Sequence, residues 1–384
     1  MTTMKVKEKE LDEPIHGDIL EATLSHVPLI YLVPASYVSK EWNGAVSRSL
    51  RHINPVKPWL MVHTQNPRAP HITTTYAYDP RSLVWIEIHP PQIKHTSALR
   101  SSHSTLLYTL SPTEFSFSID PLHLTWHHAS SPRVWRVDPI VAHMGNHIVV
   151  AGGACDFEDD PLAVEMYDIE SHNWIKCPSM PEMMKDTTTL VWLSIVVVGE
   201  FLYLMVKNTG IMYSFNCKTM MWQGPYDLRG DESVFYYAMG EVENRLVAVG
   251  ILGDAENVKG VKVWEVKVEL KLGLGMVELG VMPKEMVVKL RGESGSELLN
   301  SIELVSIGNF VYVYNVLEPE EMVVCEVLKR GGCEWWSVKN AVVNDEMRMR
   351  RMVLSGGDVG LEDLKSAALR NCKFVLKQLK EVER

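Results

Sequence analysis

Two patterns of apolar positions divide the chain. Between residues 15 and 53 they recur at three- and four-residue steps, with Ile19, Leu20, Leu24 and Val27 in one stripe and Leu32, Ala35, Val38 and Trp42 in a second. That is the spacing of amphipathic helices. Pro28 separates the stripes, so two or three short helices are expected, and Pro34 suits the first turn of one, where a missing N–H costs little. Asn54-Pro55 and Lys57-Pro58 form a short, stiff boundary. From Trp59 onward the pattern changes to brief apolar runs bounded by Gly, Asp and Asn, which predicts strands.

The strand text repeats. Asp79 precedes Trp85, Asp120 precedes Trp126, Asp168 precedes Trp174 and Asn216 precedes Trp222, each by six positions. The leading residues lie 41, 48 and 48 positions apart. A period of 40–50 residues with one hairpin per repeat marks the blades of a β-propeller. In such a hairpin the Asp or Asn takes the turn, and the Trp plugs the next strand into the gap between neighbouring sheets. Six units are expected over 59–345, with the two last ones looser: no Trp stands six positions after Glu265, and an insertion falls around 284–299. Trp59–Val62 is expected to join the last blade's sheet, since closing the ring protects its edges. Beyond the ring, Leu361, Leu364, Ala368, Cys372, Val375 and Leu379 predict an amphipathic C-terminal helix over 361–382. Residues 1–13, charged and polar, read as disordered and unlike a secretory signal.

Composition narrows the partners. The chain is 384 residues long with a net charge of −10, which disfavours nucleic acid, because neutralising phosphates requires a clustered basic surface. Six cysteines at 155, 177, 217, 325, 333 and 372 form no Cys-x-x-Cys pair. They read as reduced thiols of a protein in the cytoplasm or nucleus. Leu190–Val206 is apolar enough to suggest a membrane span, but its central Gly199-Glu200 and its β-branched residues fit two buried strands around a turn.

Within the helical segment, Ile15-His-Gly-Asp18-Ile19-Leu20, Leu24-Ser25, Val27-Pro28, Leu32 and Val38-Ser39-Lys40-Glu41-Trp42 keep every spacing of the F-box pattern L-P-x-D-L-L-x-x-I-L-S-x-L-P-x-x-x-L-x-x-x-x-x-V-C-K-x-W. His16, Thr23 and Ser39 depart from it. In the third repeat unit Gly152-Gly153, Tyr167-Asp168 and Trp174 resemble a kelch repeat. F-box over 14–54 followed by kelch repeats is similar to the plant F-box/kelch family. The resemblance implies a mainly β, kelch-type β-propeller of about six blades, preceded by a small helical F-box domain and followed by the C-terminal helix. It further implies a non-catalytic substrate receptor of an SCF ubiquitin ligase. Ile15, Ile19, Leu20, Leu24, Val27, Pro28, Leu32, Val38 and Trp42 would then dock on a Skp-type adaptor and, through it, on cullin. The propeller would hold a target protein. A short N-terminus and the Asp138-Pro-Ile-Val141 stretch are similar to the subgroup acting on phenylpropanoid and flavonoid enzymes.

Other candidate chemistry is thin. His143 and His147 have the His-x-x-x-His spacing of a zinc pair, but Gly145-Asn146 between them argues for a turn, and no third ligand follows. Trp126-His127-His128 reads as a strand end plugging a blade gap. Gly273-Leu-Gly275 lacks the third glycine of a phosphate cradle, and Gly292-Glu-Ser-Gly-Ser296 is no nucleophile elbow. No cofactor and no metal site is expected. The acidic run Glu158-Asp159-Asp160 follows the Gly doublet on a strand-connecting loop, where it is either a solvated loop or a contact for a basic patch on the target. Two other functions compete: a copper oxidase on a kelch propeller, which would need a Tyr–Cys pair and converging histidines, and a kelch interaction scaffold without a ligase role.

Overall fold

The structure, a computed structural model, describes residues 17–66, 69–89, 104–154, 160–185, 192–228, 233–269, 273–292, 299, 302–342 and 351–377. Three helices open it: α1 (Gly17–Ser25), α2 (Leu29–Ala35) and α3 (Lys40–Arg48). Pro28 stands at the N-terminal boundary of α2, as expected, whereas Pro34 falls near its end rather than in its first turn. The helix tolerates it by being only seven residues long, so few bonds are lost. Ser39 caps α3, its Oγ accepting from the Trp42 N–H at 3.2 Å. The departure from the usual Cys therefore gives this helix a better N-cap.

Six sheets follow. The first holds β1 (Trp59–Asn66), β2 (Ala69–Asp79) and β3 (Val84–His89); the second β4 (Leu107–Leu110), β5 (Glu114–Ser118) and β6 (His127–Ser130). The third holds β7 (Ile140–Met144), β8 (His147–Ala151), β9 (Val164–Asp168) and β10 (Asn173–Cys177). The fourth comprises β11 (Leu193–Val198), β12 (Phe201–Val206), β13 (Ile211–Asn216) and β14 (Met221–Asp227). The fifth comprises β15 (Val234–Val242), β16 (Arg245–Gly253), β17 (Val258–Glu269) and β18 (Gly273–Val281), and α4 (Lys284–Arg291) occupies part of the expected insertion. The sixth has β19 (Ile302–Ile307), β20 (Phe310–Asn315), β21 (Glu321–Val327) and β22 (Cys333–Lys339). The protein is a six-bladed propeller carrying helices at its N-terminal and C-terminal ends. Within the described part of the apolar stretch, 193–206 is a hairpin, with Val198 opposite Phe201 across Gly199-Glu200.

The turn-and-tryptophan repeat has a plain physical basis. Asp120 Oδ1 accepts from the N–H groups of Leu122 and His123, Asp168 Oδ1 from Glu170 and Ser171, and Asn216 Oδ1 from Lys218 and Thr219. Four residues after each anchor the backbone turns left-handed, at Leu83 (φ 57°), Leu124 (φ 49°), His172 (φ 57°) and Met220 (φ 54°). Trp85, Trp174 and Trp222 then donate their indole N–H to Lys339, Ser130 and Pro178 carbonyls at the end of the preceding blade's outermost strand, at 2.9, 3.0 and 3.2 Å. Unit two departs from the rule. Trp126 stands ahead of β6 and packs with Leu107, Leu124 and Val353, while His127 stacks on Phe117 at 5.2 Å.

Two expectations about the C-terminal region change. The sixth sheet is complete without Trp59–Val62; instead β23 (Arg351–Gly357) crosses to the first sheet and pairs with β1. The ring therefore closes inside blade one, and its strands extend past 345. The helix expected over 361–382 is α5 (Leu361–Leu369), followed by β24 (Lys373–Lys377) on the outer edge of β3. Asn371 (φ 63°) ends the helix, with the Cys372 N–H reaching the Ala367 carbonyl at 3.0 Å. That is a Schellman-type stop. Phe374 and Leu376 then pack as strand residues beside the core of blade one.

Candidate functional site: two opposed docking faces

The three N-terminal helices share their core with blade one. Leu20, Leu24, Leu29, Ile30, Leu32, Ala45 and Val46 form a single buried cluster with Trp59, Met61, Ala77, Ile86 and Ile88 of the propeller. Val359, Leu364, Ala367 and Cys372 from the C-terminal segment complete it. Arg81, in the Asp79 turn, fastens the assembly. Its guanidinium donates to the carbonyls of Asn54 (2.9 Å), Val27 (2.8 Å) and Ser25 (2.9 Å), satisfying groups left open at the end of α1 and beyond. Burial lifts the carboxyl of the adjacent Asp79 above the usual range, with Ser82 and Arg81 opposing.

This packing sorts the residues assigned to adaptor docking. Leu20, Leu24 and Leu32 are buried in the shared core, Val27, Pro28 and Trp42 are half-buried, and Ile15 lies outside the described residues. Ile19 and Val38, by contrast, are 69% and 63% exposed. Two residues the sequence reading passed over join them, Tyr31 and Tyr37, the latter 70% exposed. The motif text thus mixes two populations, one holding the helices to the ring and one leaving apolar surface exposed.

The second face lies at the other end of the ring. His147 pairs with Asp168 on the side of the Asp and Asn turns, so the β8–β9 connection opens on the side away from the F-box. Glu158 and Asp159 lie outside the described residues. Asp160 is exposed, but its carboxylate is engaged locally, Oδ1 by the Leu162 N–H at 2.9 Å and Oδ2 by the Ser179 hydroxyl. A buried pin holds this loop. Arg136 donates to the carbonyls of Gly152 (2.7 Å) and Ala163 (2.8 Å) and pairs with Glu165 (3.1 Å). The Gly doublet follows from that approach: at Gly153 (φ 74°) a Cβ would stand 2.8 Å from the Val137 carbonyl. The Asp138–Val141 stretch is accounted for by the same crossover, which leads into β7. Trp135, Val137, Met183, Trp192, Val316 and Leu317, all on connections at this end, expose apolar surface.

The histidine pair lies across the β7–β8 turn, with His147 beside Asp168. Among the described residues no group of three or more His, Cys, Asp or Glu side chains could hold a metal ion. No helix among them is long and apolar enough to cross a membrane.

No protein-family model matches the chain. Among solved structures, a protein from Lactobacillus plantarum overlaps 74% of this chain and 83% of its own at 12% identity, with a TM-score of 0.43. A putative 6-phosphogluconolactonase from Bacteroides uniformis overlaps 77% and 99% at 11% identity, with a TM-score of 0.41. A kelch repeat and BTB domain-containing protein of Danio rerio is 25% identical over 178 residues, spanning 45% of this chain and 28% of that one. An F-box/kelch-repeat protein of Arabidopsis thaliana is 41% identical over 376 residues, 95% of each chain. A likeness of that extent, on a six-bladed ring behind three short helices, means that the chain belongs to the F-box/kelch-repeat proteins.

Proposed function

We propose that this protein is the non-catalytic substrate receptor of an SCF ubiquitin ligase, working in the cytoplasm or nucleus. The F-box docks on a Skp-type adaptor, which brings cullin, and the far face of the propeller holds the protein to be ubiquitinated. The observation that carries this reading is the exposure of Ile19, Tyr31, Tyr37 and Val38 on helices whose other side is locked into the propeller core. Such apolar surface on an otherwise anchored element is the mark of a protein-docking site. The receptor contributes proximity, holding a target lysine near a loaded conjugating enzyme. A target among the enzymes of phenylpropanoid or flavonoid synthesis is proposed on the family resemblance alone.

The test uses the full-length chain and an Ile19→Asp/Val38→Asp double variant in pull-downs from plant extract. Both positions are exposed, so the charges leave the fold intact, whereas Leu24→Asp would bury a charge in the shared core and unfold it. Loss of adaptor and cullin in the variant, with propeller-bound proteins retained, is the expected result. Absence of adaptor from the wild-type pull-down refutes the receptor and leaves an interaction scaffold.

A further inference from the structure

The exposed apolar surface of the F-box continues onto a helix from the other end of the chain. α5 packs beside α2, and the Lys365 ammonium stands 5.4 Å from the centre of the Tyr37 ring. Leu364 and Ala367 point into the shared core, which fixes the rotation of α5. Leu369 therefore lies on the outward face, while Lys365 stands on the flank toward α2, its side chain only 17% exposed. Leu369 is 85% exposed, the most exposed large apolar side chain among the described residues. Glu362, a turn earlier, pairs with Lys365 at 2.8 Å. The helix stops just past Leu369, at Asn371, so this leucine lies in the last turn of α5, one turn beyond the residue that covers Tyr37.

We infer that the Skp-type adaptor covers α5 as well as the F-box helices. The docking surface is composite, with Ile19, Tyr31, Tyr37 and Val38 from the N-terminal helices and Leu369 from α5. The adaptor segment that seats here presents an apolar side chain to Leu369. The argument rests on the receptor reading above and on continuity: Tyr37 belongs to the F-box surface and is also the ring under Lys365. An F-box cut away from this propeller would present only part of the surface.

The experiment titrates recombinant Skp-type adaptor into the full-length chain, its Leu369→Asp variant, and the Ile19→Asp/Val38→Asp variant. Leu369→Asp is expected to raise Kd about tenfold or more, the loss of one well-buried leucine at an interface. Its melting temperature is expected to be unchanged, because the Leu369 side chain is exposed. Amide exchange of the wild-type chain gives a second measurement free of any substitution: residues 361–370 should gain protection when adaptor is added. A Kd within twofold of wild type for Leu369→Asp, or unchanged protection of α5, overturns the inference. If Ile19→Asp/Val38→Asp still abolishes binding in that case, the receptor reading stands. Failure of the wild-type chain to bind adaptor overturns both. Dissociation of a self-associated species by Leu369→Asp at unchanged adaptor affinity also overturns it, because a second copy would then be the occupant.

Discussion

Arg81→Met should release the F-box from the ring. The side chain is buried, and each of its three nitrogens reaches a main-chain carbonyl, of Asn54, Val27 and Ser25. Hydrogen bonds from a charged donor are worth about 1.5–3 kcal/mol each, but they are not additive and some carbonyls recover water on loosening. A net cost of about 3–5 kcal/mol follows, in line with breaking a buried charged network. Against a total stability of about 5–15 kcal/mol this is a large fraction. All three acceptors belong to the helical segment, so the loss should be local, loosening α1–α3 while the blades keep their packing. Hydrogen exchange across 17–53, together with urea unfolding followed by tryptophan fluorescence, separates the two. Arg81→Lys should recover only part of the loss, because a compact ammonium cannot span three divergent carbonyls. A Met variant within about 0.5 kcal/mol of wild type, with no faster exchange in α1–α3, would refute the clamp.

Two further outcomes follow from buried groups in the ring. His63 lies in blade one, its Nδ1 3.1 Å from Thr75 Oγ1 and its Nε2 3.1 Å from Ser355 Oγ on the closing strand β23, and burial pushes its pKa down from 6.5 to about 3. The folded state therefore favours neutral imidazole. The contribution is intact above the unfolded pKa near 6.5 and is lost as pH falls from there toward about 3, at about 1.4 kcal/mol per unit. Denaturation at pH 7 and pH 5 should show a drop of about 2 kcal/mol from this group that His63→Gln removes; equal slopes for the two proteins would exclude it. At the blade gaps, Trp174→Phe keeps the ring against Phe115 and Tyr167 but loses the bond to the Ser130 carbonyl. It should cost about 1 kcal/mol in thermal unfolding, and Trp174→Ala about 3 kcal/mol or more. Equal costs would mean the indole N–H, rather than the packing, carries the site.

The propeller was legible because its signal is local and repeated: an Asx turn, a left-handed fourth residue and a gap-filling Trp all fall within ten residues. The F-box was legible for a similar reason, since its apolar spacing survives the substitutions at Thr23 and Ser39. What the sequence concealed is non-local. Leu20, Leu24 and Leu32 look like Ile19 and Val38 in the text, and only the docking of blade one and α5 separates buried from exposed. The error over 361–382 has the same root. Cys372, Val375 and Leu379 continue a helical stripe, but Phe374 and Leu376 also alternate as strand residues, and the open edge of β3 decides between them. Asn371, an αL-tolerant residue, was the one local sign of the stop. Ring closure could not be read from pattern at all, because Trp59–Val62 pairs with a strand nearly 300 positions away in either scheme. Arg81 was missed because its partners are main-chain carbonyls, which leave no trace in composition, and Arg136 because it joins two such carbonyls to a Glu165 that lies 29 positions away.

That shared core has a consequence for how the protein is made. The helices at 17–53 emerge from the ribosome first, yet Val359, Leu364, Ala367 and Cys372, which cover them, emerge about 300 residues later. At roughly 5–20 residues per second, the early helices wait tens of seconds with their apolar side uncovered. Blade one waits equally long for β23 on its inner edge and β24 on its outer edge. A nascent or prematurely terminated chain therefore cannot present a finished F-box, and its exposed face becomes a property of molecules whose ring has already closed.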